Sequence, residues 1–130
     1  MRVIFTNGCF DIIHRGHLEL LKYAKSLGDK LVVGINSDDS VKRLKGESRP
    51  INLEDDRKFI LESLKYVDEV IIFNEDTPYR LIKQLIPDII VKGGDYTPDQ
   101  VSGNDICKVE IFDFKDGYST TKIIESLSNR

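Results

Sequence analysis

Residues 6–17 read Thr6-Asn7-Gly8-Cys9-Phe10-Asp11-Ile12-Ile13-His14-Arg15-Gly16-His17, and both histidines of the chain fall inside this window. A single histidine near a helix start is ordinarily a surface or core residue. Two imidazoles three positions apart share one face of a helical turn. Gly16 between them carries no Cβ and lets an anionic group approach the backbone closely. A helix N-terminus adds unpaired N–H groups and the positive end of a dipole. The chemistry implied is phosphate binding, with imidazole donors at phosphate oxygens. A zinc pair of the metalloprotease kind would be spaced i, i+4 with a glutamate beside the first histidine, and neither feature is present. A thiolate nucleophile at Cys9 would need a base beyond the histidine pair already assigned.

These residues need an element on either side. Val3-Ile4-Phe5 before them is apolar and strand-like, and Leu18, Leu21, Ala24 and Leu27 after them follow a helical period. Further strand-like runs are Leu31–Ile35, Glu69–Phe73, Ile89–Lys92 and Val109–Phe112, with Val3–Thr6 as the first. Helical patterns lie near residues 17–27, 53–66, 78–86 and 119–127. Gly28 is the expected C′ residue of the first helix, Asn52 the cap of the second, and Thr77-Pro78 the cap and N1 proline of the third. Thr97-Pro98 opens a polar turn with room for one more helical turn. Continuous apolar strands alternating with helices predict one doubly wound α/β domain over residues 1–130, with a mostly parallel, five-stranded, Rossmann-like sheet. Ligands bind such sheets beyond the carboxyl ends of the strands. The segments there are Thr6–His17, Asn36-Ser37-Asp38, Lys92-Gly93-Gly94-Asp95-Tyr96 and Asp113–Thr121.

Three other features stand out. Ser119-Thr120-Thr121 opens the last helical pattern with more hydroxyls than an N-cap needs, which suits a second phosphate-facing helix start. Lys42, Arg43, Lys45 and Arg49 form a basic cluster, read either as a solvated surface or as a mobile loop closing over phosphates. Arg57 falls on the apolar stripe of its helix with Ile60 and Leu61, so it needs a ligand or an internal partner such as Glu54, Asp55 or Asp56.

Composition narrows the class. The net charge of −3 and the overall charged content of 32% describe an ordinary globular domain without the basic footprint of a nucleic-acid binder. No apolar stretch approaches the ~20 residues of a membrane span. The first residues run straight into a strand, leaving no room for a signal peptide. Two cysteines make no disulfide framework and fit a reducing, cytoplasmic setting.

The pattern Gly-x-Phe-Asp-x-x-His-x-Gly-His, formed by Gly8, Phe10, Asp11, His14, Gly16 and His17, resembles the signature of the cytidylyltransferase-like nucleotidyltransferases. Lys92-Gly93-Gly94-Asp95-Tyr96, the 36–50 segment, and Phe114-Lys115-Asp116-Gly117-Tyr118-Ser119-Thr120-Thr121 narrow the likeness to the heptose 1-phosphate adenylyltransferase domains of bacterial ADP-heptose synthases. Glycerol-3-phosphate cytidylyltransferases share the first motif, but Phe114 stands where they carry an arginine.

The resemblance implies AMP transfer from ATP to a heptose 1-phosphate, giving ADP-heptose, a surface-glycan precursor, and pyrophosphate. It implies His14, His17 and Lys45 as catalytic groups, with Lys42 as the competitor of Lys45. It implies nucleotide contacts at Thr6, Asn7, Gly8, Cys9, Phe10, Gly16, Lys92, Gly94, Asp95, Ser119 and Thr120. Asp11, Asp38, Arg57 and Lys42 are the expected substrate-side residues. Mg²⁺ is expected to arrive on the ATP phosphates, with no protein metal site. A homodimer is the expected assembly, and a heptose kinase the expected separate partner. Open alternatives are a polyol-phosphate cytidylyltransferase, an adenylyltransferase for FAD or a coenzyme A precursor, and a nucleotide-binding regulatory module without turnover.

Overall fold

The computed structural model describes residues 1–113 and 120–128. Five strands, β1 (Val3–Gly8), β2 (Lys30–Asn36), β3 (Glu69–Phe73), β4 (Ile89–Gly93) and β5 (Lys108–Phe112), form one sheet in the order β3-β2-β1-β4-β5. Every pairing is parallel, so all carboxyl ends lie along one edge. The order reverses at β1, whose partners are β2 and β4, and this switch point is where a ligand crevice opens. The five predicted strands are all present, and the sheet is wholly parallel.

The helices are α1 (Arg15–Ser26), α2 (Asp38–Lys45), α3 (Glu54–Glu62), α4 (Tyr79–Leu85) and α5 (Thr120–Ser128), with a 3-10 turn at Pro98–Gln100. Alternation along the strands divides the core into two layers. Ile4, Val33, Ile35, Ile89 and Val91 pack with Leu20, Leu21 and Ala24 of α1 and Leu61 of α3. Phe5, Val32 and Ile90 pack on the other face with Ile82 of α4 and with Val101. Because Phe5 and Ile90 face the α4 layer, a two-residue step carries Asn7 and Lys92 toward that same side.

Several local expectations are corrected. Residues 38–45 are helix α2 and not a loop. Ser37 caps it, accepting from the Ser40 amide at 3.1 Å, with Asp38 and Asp39 in the first turn and three basic residues in the last. Those charges complement the helix dipole. Only Ser40 and Val41 are buried, so an eight-residue helix left almost no apolar period to read. Helix α3 spans Glu54–Glu62, shorter than 53–66, and Asn52 does not cap it. Its cap is tertiary: the Glu54 amide donates to Asp38 Oδ1 at 2.8 Å, and the Asp38 amide donates to Glu54 Oε1 at 2.9 Å. In α4 the N-cap is Pro78 itself, without a side-chain bond from Thr77. Gly28 does follow the α1 C-cap Leu27, but for want of space. A Cβ there would meet Arg2 O and Ile4 Cγ1 at 2.8 Å.

Candidate functional site

Strand β1 delivers the chain at the switch point into a turn that few sequences hold. Phe10 (φ 49°) and Ile12 (φ 54°) are both left-handed, a conformation that costs roughly 1–2 kcal/mol for a residue with a Cβ. Such strain persists only where neighbours over-determine the backbone, and two buried charges do so here. Arg57 is 0% exposed and donates to Cys9 O (2.9 Å), Asn36 O (2.7 Å), Asn52 O (2.9 Å) and Asp38 Oδ1 (2.9 Å). Asp11 is 1% exposed and accepts from the Ile51 amide (2.8 Å), the Asn52 amide (2.9 Å) and Arg49 Nε (3.3 Å). The turn is thereby fastened to the end of β2 and to the segment before α3. Phe10 packs its ring on Gly8 and against His17, with ring centroids 5.2 Å apart.

His14 is the N-cap of α1, and its Nδ1 accepts from the Gly16 amide at 3.0 Å. His17 Nδ1 accepts from the His14 amide at 3.2 Å. With both Nδ1 atoms acting as acceptors, each neutral ring carries its proton on Nε2. The rings stack with centroids 3.9 Å apart. Burial lowers the His14 pKa from its ordinary value, and burial followed by the His14 charge pushes His17 down to about 4. Both are therefore neutral near pH 7 and act as N–H donors at the start of a helix.

The sign of that shift gives a testable pH dependence. Between pH 6.5 and about 4 the unfolded chain binds a proton that folded His17 refuses, so stability declines as pH falls through that window. A proton NMR titration of the ligand-free protein should place the His17 midpoint near 4, with melting temperature falling in parallel. A midpoint at or above 6.5 would refute the burial argument.

Beside His17 lies a cleft of about 160 Å³ lined by Asn7, Gly8, Cys9, Phe10, Leu20, Lys92 and Gly93. Burial raises the Cys9 pKa against the opposing charges of Lys45, Arg57, Arg49 and Lys92, so Cys9 stays a thiol. Its Sγ lies 3.7 Å from Asn36 Oδ1. Burial lowers the Lys92 pKa, and the Lys45 charge acts in the same direction. A partly desolvated lysine with a second positive charge acting on it favours an anion in the cleft. A second cleft, of about 180 Å³, shares Asn7 and Lys92 and continues past Asp76, Thr77, Tyr96 and Ser102.

The fold brings together His14, Gly16, His17, Asn7, Gly8, Cys9, Phe10 and Lys92. It divides the basic cluster. Arg43 pairs with Asp76 at 2.9 Å and Arg49 turns inward to Asp11, whereas Lys45, at the last position of α2, projects its charge to Cys9 and Lys92. Lys42 is exposed one turn earlier. Three of the expected contact residues are buried. Thr6 is 0% exposed, so its side chain is core and not cleft. Arg57 and Asp11 are buried and direct polar atoms to the turn and the segments it meets. The partner of Arg57 is Asp38, not Glu54, Asp55 or Asp56. Asp38 is engaged by Arg57 and the Glu54 amide. Gly94 (φ 115°) donates its amide to Phe112 O, and Asp95 is exposed.

Ser119 and residues 114–118 lie outside the described residues, and Thr120 begins α5. The segment after β3 also lies at the carboxyl edge of the sheet. The rule that selected the other post-strand segments selects Asp76 and Thr77 as well.

Among the described residues no three His, Cys, Asp or Glu side chains are grouped to hold a metal ion. Among them, too, no helix is long and apolar enough to cross a membrane.

A model of the cytidylyltransferase-like family matches residues 5–126. The chain is 60% identical over 127 residues to the bifunctional protein HldE of a Nitratiruptor species, covering 97% of this chain and 28% of that protein. It is 55% identical over 127 residues to the HldE of Helicobacter pylori, covering 97% of this chain and 27% of the relative. The chain thus spans little more than a quarter of these curated relatives. A crystal structure of a lipopolysaccharide core biosynthesis protein from Thermoplasma volcanium superposes with a TM-score of 0.72 at 33% identity, over 92% of this chain and 99% of the other.

Proposed function

Because the chain belongs to the cytidylyltransferase-like family, we propose that it is a nucleotidyltransferase that moves AMP from ATP onto a heptose 1-phosphate, releasing pyrophosphate. The observation that carries the reading is the paired imidazoles, each committed at Nδ1 to a backbone amide and so protonated on Nε2. The specific sugar is supported by the likeness to the HldE proteins and to the lipopolysaccharide core biosynthesis protein. In this reading the chain corresponds to the adenylyltransferase portion of HldE and supplies ADP-heptose for surface-glycan synthesis.

An oxygen of the sugar phosphate attacks the α-phosphorus of ATP. The new P–O bond forms as the bond from the α-phosphorus to the bridging oxygen breaks, and the electron pair leaves on pyrophosphate. The nucleophile is already an anion, so catalysis rests on positioning and charge stabilisation, with no general base. His14 and His17 donate to oxygens that gain charge toward the leaving group. Lys92, at the floor of the cleft, faces the α-phosphoryl group, and Lys45 approaches from the end of α2. Asn7, Gly8, Cys9 and Phe10 supply the backbone wall against the nucleotide. Mg²⁺, when bound, neutralises phosphate charge. This metal keeps several waters and binds through substrate phosphates, so a dedicated protein cage is not required. Assembly as a homodimer is part of this reading and is checked by sedimentation.

The Lys45→Ala variant is expected to lose about 100-fold in kcat and Lys42→Ala much less, because of these two lysines it is Lys45 whose charge acts on Cys9 and Lys92. The reverse order in steady-state kinetics would reassign the role. The functional reading itself is tested by pyrophosphate release from ATP, CTP and GTP, each with the β and α anomers of heptose 1-phosphate. Turnover confined to ATP and one anomer is the expected result. Turnover with CTP and a polyol phosphate, or none with any pair, would overturn it.

A further inference from the structure

We propose that Arg43 is a positioning residue for nucleotidyl transfer: it fixes the last turn of α2 and so sets the approach of Lys45 to the cleft. This rests on the nucleotidyl-transfer reading above and adds to it what holds Lys45 in place.

Helix α2 buries only Ser40 and Val41, so apolar contact does little to place it. A polar seam does so instead. Ser37, Ser40 and Arg43 are spaced three apart and so follow one stripe along the helix. All three donate to consecutive residues of the segment after β3. Ser37 Oγ donates to Asn74 Oδ1 at 2.7 Å, Ser40 Oγ to Glu75 O at 2.9 Å, and Arg43 Nε to Asp76 Oδ1 at 2.9 Å. A second arm of Arg43, Nη2, donates to Asn74 O. Helix and segment thus run side by side from the cap to the last turn.

The two ends of the seam are not held alike. The first turn is braced further by Asp38, which meets Arg57 and the Glu54 amide, and by Asn36 Nδ2, which donates to Ser40 Oγ at 3.0 Å. In the last turn Lys42, Leu44 and Lys45 are exposed, and the chain leaves the helix at Gly46 with φ 104°. Among the described residues, Arg43 is the last-turn side chain that bonds outside the helix. Lys45 stands two residues on, and its charge acts on Cys9 and Lys92 in the cleft. A charge stabilises a transition state best when its position is set before the reaction, and the guanidinium fork sets the turn from which Lys45 departs. Arg43 and Asp76 are 47% and 62% exposed, and so open an ion pair adds little to stability. A merely structural role for Arg43 therefore predicts a small change in melting temperature and none in kcat.

The test is a double-mutant cycle in the full chain, with Arg43→Ala, Lys45→Ala and the two combined. Pyrophosphate release is measured with ATP and D-glycero-β-D-manno-heptose 1-phosphate. Arg43→Ala is expected to lower kcat about tenfold, with both KM values within twofold of wild type. Added to Lys45→Ala it should change kcat less than twofold, because the group it positions is gone. Arg43→Lys keeps the charge without the fork and should recover little of the loss. Losses that multiply in the double variant, a kcat for Arg43→Ala within twofold of wild type, or a loss confined to KM would each overturn the proposal. If the wild type releases no pyrophosphate, the transfer reading fails separately, and the seam is judged by amide hydrogen exchange. The Gly46 amide donates to Lys42 O at 2.9 Å and closes the last turn. Exchange there at least fivefold faster in Arg43→Ala, with the α1 amides unchanged, supports the role of Arg43, and an unchanged Gly46 rate overturns it.

Discussion

Replacing His17 by alanine is expected to lower kcat by about 100-fold or more while ATP binding changes modestly. The magnitude follows from the kind of contact that is lost. A neutral Nε2–H aimed at an oxygen that gains charge only as the bond breaks contributes little to ground-state binding. Deleting a single such donor from a pre-organised site typically costs 2.7–4 kcal/mol of barrier. His17 Nδ1 also accepts from the His14 amide, and its ring abuts Phe10, so the substitution loosens the first turn of α1. Thermal unfolding of the same variant separates that effect from catalysis. A kcat within a few-fold of wild type would remove His17 from the chemistry.

The second large effect is expected at Arg57, which touches no ligand. Arg57→Ala takes the Arg57 donor from three carbonyls, Cys9 O, Asn36 O and Asn52 O, and leaves the Asp38 carboxylate with the Glu54 amide but without its charge partner. Removing one partner of a buried charge pair costs about 3–5 kcal/mol, because the remaining groups stay desolvated. For a domain of this size that is a fall of roughly 10–25 °C in melting temperature. Arg57→Lys keeps the charge but cannot fork to four acceptors on three segments, so it should recover only part of the loss. Chemical denaturation measures both variants. Stability within about 1 kcal/mol of wild type for Arg57→Ala would show that the left-handed turn at Phe10 and Ile12 does not depend on this clamp.

The clamp also marks where reading the chain alone stops. The central strands were legible because β1, β2 and β4 bury apolar runs between two helical layers, and burial on both faces forces continuous Val, Ile and Leu. The edge strands β3 and β5 are less buried. The phosphate turn was legible because close anion approach demands glycine, and donors at a helix start demand particular side chains at fixed spacing. That Arg57 lies on an inner face was legible through Leu61, four positions on, whereas Ile60, read onto the same stripe, is exposed. Its partners were not. Apart from Asn52, five residues away, they come from the turn after β1, from β2 and from α2, which are 48, 21 and 19 residues away in sequence.

The same limit hid helix α2. Its order rests on Ser37, on dipole-matched charges and on the reciprocal bonds between Asp38 and Glu54, with little apolar surface to set a period. Periodicity in a sequence reports what an element buries against the core. Which polar group meets which is decided only when distant segments pack, and that packing joins Arg57 and Asp11 to the backbone that holds the loop.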